Sequence, residues 1–146
     1  MAKFDLIGLG NALVDSEFHV TDSFLKKKGF EKGTMHLVDS DEQTNLLNSL
    51  EKEYGKPSLA CGGSATNTIF AASIWGSACS YICKVGNDKN GNFYLDDLSD
   101  AGVNIDHSVM LDSNINSGTC TVMVSPDAER TMSTCLGISS DLSATD

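Results

Sequence analysis

Residues 61–67 read CGGSATN, and the apolar run IFAASIW occupies 69–75. Two glycines and an amide stand directly before a hydrophobic helix. Either the glycines only turn the chain, or the chain passes so close to a ligand that no side chain fits. The stretch before them, SLAC (58–61), reads as a short strand. Strand, glycine turn and helix together leave free backbone N–H groups at a helix N-terminus, which suits ligand oxygens. Gly62 and Gly63 permit close approach or a positive φ, and Asn67 lies in the first turns, able to point back at the same oxygens. By itself a Gly-Gly pair before a helix is a weak signal and most often only a turn.

Working outward from this stretch, the helix after the glycines ends at Gly76, and ACSYICKVG (78–86) reads as a strand buried on both faces. NGNFYLDDLSDAG (90–102) reads as a helix with Phe93, Leu95 and Leu98 toward a core. Upstream, KFDLIGLG (3–10) is a short buried strand and LVDSEFHV (13–20) a second strand with one wet face. TDSFLKKKG predicts a short helix capped by Thr21 or Asp22 and closed by Gly29. TMHLVD is a strand. SDEQTNLLNSLEKEYG is the clearest helix: Asp39 or Ser40 caps it, Leu46, Leu47 and Leu50 form one face, and Gly55 stops it.

The remainder reads as antiparallel β: VNIDHSVML, SGTCTVMVS and ERTMSTCLG, with SPDAE (125–129) as the hairpin turn. Alternating strands and helices in the middle imply βαβ units and a parallel sheet. The β-only pieces at 13–20, 34–38 and 105–135 are expected to form a second, smaller sheet. GISSDLSATD (137–146) reads as the approach to another capped helix. A parallel sheet of about three strands would leave an apolar edge bare.

Composition narrows the function. The net charge is −10, and the only cationic cluster, Lys26 to Lys28, falls at a predicted helix end where cations suit the dipole. Neither nucleic acid nor an anionic membrane is expected as a partner. The five cysteines form no CxxC pair, so reduced, mostly buried thiols are expected rather than a metal site. The N-terminus MAKFDLIGLG has no long apolar core, and no stretch is long enough to span a bilayer, so a cytoplasmic protein is expected.

Two further stretches carry chemistry. GLGNALVD (8–15) suggests a dinucleotide fingerprint, but Leu13 stands at the third glycine position and a strand follows, not a helix. Its other reading presents Asn11 and Asp15 from a strand end: a carboxylate accepts two hydrogen bonds and an amide both donates and accepts, which suits a vicinal diol. The plainer reading makes Asp15 a surface acid on the wet strand face. In GTCTVMVSPDAERTM, Thr119 and Arg130 lie on adjacent strands of the inferred hairpin, and an arginine fork can hold phosphate or hydroxyls.

GLGNALVD, GGSATN with Gly76 and Gly86 downstream, KVGNDKNGNFYLDDLSDAGV, and SGTCTVMVSPDAERTM followed by LGIS, taken in that order, resemble the N-terminal half of a PfkB-family carbohydrate kinase, the ribokinase and adenosine kinase group. The strongest part is 62–86; Ile69 departs from the small or hydroxylated residue of that pattern. GNALVD is most similar to the bacterial adenosine-kinase-like branch. The resemblance implies a ribokinase-like α/β/α sandwich with a small β-sheet lid, present here as its N-terminal portion over 1–146, with lid strands at about 13–20, 34–38 and 105–135. It implies that Asp15, Gly62, Gly63 and Asn67 hold substrate hydroxyls, with Asn11 a neighbour, and that a γ-phosphoryl passes from ATP, with Mg²⁺, to a hydroxymethyl group of the adenosine, ribose or fructose class.

The family's base lies in a GAGD-like motif that this sequence lacks, as it lacks the nucleotide loops. The chain is therefore expected to be the substrate-gripping part of a kinase, inactive alone, with no catalytic base of its own. Phe18, His36 and Cys120 could line an apolar base slot from the lid, with a core or surface role the plainer reading of each. Two other readings stand beside the kinase one: a non-catalytic carbohydrate-binding or oligomerisation module that pairs as a homodimer through the lid, and a dinucleotide oxidoreductase, which the Leu13 position disfavours.

Overall fold

The computed structural model describes residues 3–106, 108–111 and 114–144. The chain divides into two compact units. One comprises residues 1–14, 61–118 and 136–146; the other comprises 15–60 and 119–135.

In the first unit, β1 (Leu6–Leu9) pairs in parallel with β5 (Cys79–Ile82), and β6 (Lys84–Gly86) in parallel with β7 (Val109–Leu111). Helices α3 (Ser64–Ile74) and α4 (Lys89–Asp100) supply its helical layer, and a 3-10 helix spans Gly137–Asp141. Asp88 caps α4, accepting from the Gly91 N–H at 2.8 Å, and its carboxylate also accepts from the Ser117 N–H at 2.7 Å. The core gathers Ile69, Tyr81, Cys83, Val85, Tyr94, Leu98 and Val103. The GLG glycines serve this packing: a Cβ on Gly8 would lie 2.5 Å from Ile69 Cγ1, and one on Gly10 2.9 Å from Tyr81 Oη. On β1, Ile7 is 65% and Leu9 64% exposed, on one face of the strand rather than along an edge.

The second unit is built on a five-stranded sheet of order β3-β9-β8-β2-β4, comprising β2 (Leu13–His19), β3 (Met35–Leu37), β4 (Ser58–Gly62), β8 (Gly118–Val124) and β9 (Arg130–Cys135). β8 and β9 form the expected antiparallel hairpin; β3 joins β9 in parallel. In the turn, Ala128 donates its N–H to the Ser125 carbonyl and takes a φ of 66°. Helix α1 (Asp22–Lys28) is capped by Thr21 and closed by Gly29 in the left-handed region. Helix α2 (Ser40–Tyr54) is capped by Asp39, with Glu42 completing a capping box. Phe18, Val20, Phe24, Leu25, Leu46, Leu50 and Met123 form its core.

Three expectations differ from the structure. Residues 109–111 do not join the β8–β9 hairpin: β7 runs parallel to β6 in the first unit, because the α4 crossover returns the chain to the same edge. His107 of that stretch lies outside the described residues. The 78–86 strand is two short strands with different partners, β5 with β1 and β6 with β7. SLAC, read as part of the parallel sheet, pairs with β2 at the edge of the five-stranded one.

Candidate functional site

In the first unit the glycine stretch folds as a strand end, a turn and a helix start. β4 ends at Gly62, and Gly63 holds φ 102° and ψ 131° as the N-cap of α3. That conformation is open to glycine and costly for any residue with a Cβ. A Cβ there would also sit 2.9 Å from the Asn11 carbonyl oxygen and 3.1 Å from Thr66 Oγ1. No side chain caps α3. The Asn67 N–H donates to the Gly63 carbonyl at 2.9 Å, and the Asn67 and Asn11 side chains are both exposed. Thus Asn11, Gly63 and Asn67 are brought together, and Gly63 both turns the chain and leaves room for the Asn11 carbonyl.

Beneath this turn lies a group that the sequence reading missed. Thr66 Oγ1 donates to Tyr81 Oη at 2.8 Å and lies 2.5 Å from Tyr94 Oη, which donates to the Gly62 carbonyl at 3.2 Å. All three side chains are fully buried. Burial raises the pKa of both tyrosines above the ordinary phenol value, so both stay protonated donors. The helical spacing of Gly91, Tyr94 and Leu98, the buried residues of α4, is the available signal; Phe93 and Leu95, expected toward the core with Leu98, pack part-buried against it.

In the second unit, strand alternation puts Asp15 and Glu17 on one face of β2 and Ser16 and Phe18 on the other. Asp15 is half-buried. Burial pushes its carboxyl up to about 6, against the lowering effect of the Arg130 guanidinium, and Glu17 adds to the rise. Arg130 Nη2 lies 3.6 Å from Glu17 Oε2. Cys120, whose thiol is also raised by burial, feels both Asp15 and Arg130 and accepts from Thr134 Oγ1 at 3.3 Å. A half-buried acid with a neighbouring cation and a second acid is a group poised to accept hydrogen bonds near neutral pH.

Thr119 and Arg130 are not brought together. The register pairs Thr119 with Cys135 and Arg130 with Val124, at opposite ends of the hairpin, about 17 Å apart along β8. They also lie on opposite faces. Thr119 accepts from Gln43 Nε2 of α2 at 3.4 Å. Gln43 also donates to Thr121 at 3.0 Å and accepts from Ser133 at 3.1 Å, so Thr119 belongs to the helix-covered side. Phe18 is a core residue there. His36, paired in register with Ser133, hydrogen-bonds Thr34 at 2.8 Å and packs edge-on to Phe30. Of the three slot candidates, Cys120 alone shares surroundings with Asp15.

Among the described residues no cluster of three or more His, Cys, Asp or Glu could hold a metal ion, and no helix is long and apolar enough to cross a membrane.

The profile described as pfkB family carbohydrate kinase matches residues 34–146. Adenosine kinase 2 of Arabidopsis thaliana is 31% identical over 123 residues, 82% of this chain and 34% of that protein. Ribokinase of Dictyostelium discoideum is 35% identical over 84 residues, 58% of this chain and 26% of that protein. The crystal structure of adenosine kinase from Sinorhizobium meliloti superposes with a TM-score of 0.87 at 35% identity, covering 99% of this chain and 43% of that one. The chain thus spans about a third of the length of the curated adenosine kinase it matches.

Proposed function

The chain belongs to the pfkB family of carbohydrate kinases and carries part of the ribokinase-like α/β fold; from that premise we propose that it supplies the substrate-binding portion of an enzyme that phosphorylates the hydroxymethyl group of a nucleoside or sugar, with ATP as donor. Adenosine is the preferred member of the adenosine, ribose and fructose class, because the similarity extends over 82% of the chain to adenosine kinase 2 and over 58% to ribokinase.

The supporting observation is the Gly63 turn. Its φ of 102° and the Asn11 carbonyl 2.9 Å from where a side chain would begin leave bare main chain at an uncapped helix start. Hydroxyl oxygens of a ligand are suited to that main chain. Each residue takes its role from its place in the family motifs. Asp15 accepts from neighbouring hydroxyls; Gly62, Gly63 and Asn67 bind hydroxyl oxygens; Asn11 supports them. Arg130, already neutralising Glu17, is a contact for substrate or phosphate; Thr119, which accepts from Gln43, would make any such contact separately from Arg130.

ATP and Mg²⁺ enter through the family alone. ATP would supply the γ-phosphoryl group; the residues of this chain bind and orient the acceptor. The β-sheet lid of this reading is the five-stranded sheet.

Titration calorimetry of the chain with adenosine, ribose and fructose tests the proposal. Adenosine binding is expected, lost in Asp15→Ala and weakened below about pH 6 as the carboxyl protonates. Absence of binding to all three would overturn it. Binding that is unchanged in Asp15→Ala removes Asp15 from the site.

A further inference from the structure

We propose that Tyr94, Thr66 and Tyr81 are positioning residues: their hydroxyl cluster fixes the orientation of the Gly62–Gly63 peptide and thereby sets nucleoside affinity. The affinity half of this statement rests on the proposed function; the conformational half does not.

The three hydroxyls come from separate elements, Thr66 from α3, Tyr81 from β5 and Tyr94 from α4, and converge inside an otherwise apolar core. Phenylalanine at 81 or 94 would fill nearly the same volume with no polar group to satisfy. The hydroxyls satisfy one another, and the Tyr94 hydroxyl also reaches a partner outside the group, the Gly62 carbonyl at 3.2 Å. That acceptor belongs to the one peptide in the stretch with glycine on both sides, where rotation of the peptide plane meets least steric resistance.

A trans peptide is planar, with its C=O and N–H pointing in opposite directions. Holding the Gly62 carbonyl toward Tyr94 therefore aims the Gly63 N–H away from the core. Thr66 limits the same turn from the helix side, its Oγ1 3.1 Å from a Cβ position on Gly63. Tyr81 Oη lies 2.9 Å from a Cβ position on Gly10, directly before Asn11. One buried cluster thus touches both glycine-bearing segments, at 10–11 and 62–63. A core role alone explains the burial of these side chains; it does not explain why their hydroxyls end on this carbonyl.

The test is amide exchange and calorimetry on the ¹⁵N-labelled chain carrying Tyr94→Phe, Thr66→Val or Thr66→Ser. In Tyr94→Phe the Gly63 amide resonance is expected to shift, while the Leu98 and Val103 amides keep their shifts and their protection from exchange. Adenosine affinity is expected to fall about tenfold. Thr66→Val should act in the same direction and Thr66→Ser, which keeps the hydroxyl, should stay near the parent. A Gly63 amide unchanged in Tyr94→Phe and Thr66→Val overturns the proposal. So does accelerated exchange at Leu98 and Val103, which means loss of packing only. If the Gly63 amide changes but the affinity of a binding parent chain does not, the affinity half fails. A parent chain that binds neither adenosine, ribose nor fructose sinks the proposed function instead, and the amide readout still decides the conformational half.

Discussion

The two units present their candidate site residues by opposite physical means. In the first, backbone is presented: a glycine turn is held by neutral hydroxyls that are fully buried and mutually satisfied. In the second, a charged side chain is presented: Asp15 stands half-buried on a strand face, with its carboxyl raised to about 6 and Glu17 and Arg130 nearby. Neutral groups that satisfy one another can be buried at little cost and do not titrate near neutral pH. An ionisable group that must remain available cannot be satisfied in the same way, so it carries a desolvation penalty and a pH dependence. One unit therefore depends on steric fit and the other on protonation.

Gly63→Ala is the sharpest way to break that comparison. The added methyl meets the Asn11 carbonyl in a conformation with φ of 102°, and the expected loss is about 3 kcal/mol in chemical denaturation. Gly29→Ala, at φ 76° with nothing within 4 Å of the added atom, should cost only about 1 kcal/mol. Equal losses would mean that backbone strain, not close approach, explains both glycines.

Next in size is Gln43→Leu. It leaves the buried Thr121 and Ser133 hydroxyls without their amide partner, and a loss of about 2 kcal/mol is expected in the same measurement. Adding Thr121→Val and Ser133→Ala should recover part of it. No recovery would show that the amide's volume matters more than its hydrogen bonds.

The smallest expected effect belongs to Asp15→Asn. The folded carboxyl, at about 6, lies above its unfolded value of roughly 4, so the folded state binds more protons between those pH values. Stability therefore falls as pH rises through that window and stays lowered above it. After discounting for solvent screening of a half-exposed group, the penalty at pH 7 is on the order of 1 kcal/mol. Asp15→Asn should remove the slope in thermal melts from pH 4 to 7 and raise the midpoint at pH 7. A slope that persists in the variant assigns it to another group.

Much of the local structure was legible in order along the chain. Thr21 and Asp39 cap their helices and Gly29 and Gly55 end theirs, because caps depend on neighbours within one turn. The glycine turn before α3 was legible for the same reason. Partner choice was not. Residues 109–111 have the composition of a hairpin strand, and only the crossover through α4 determines that they lie parallel to β6. Gln43 shares the helical spacing of Leu46 and Leu50, yet its polarity hid it, since the hydroxyls that satisfy it lie 78 and 90 residues away.

The sequence by itself determined where helices α1 and α2 are capped and stopped, and which short stretches match the family's motifs, because those signals lie within a few residues of one another. Only the tertiary structure decided that Thr119 belongs to Gln43 rather than to Arg130, that Asp15 is raised by burial, and that two tyrosines and a threonine stand beneath Gly62. These depend on groups from separate elements meeting in one place, and a linear pattern holds no record of that distance.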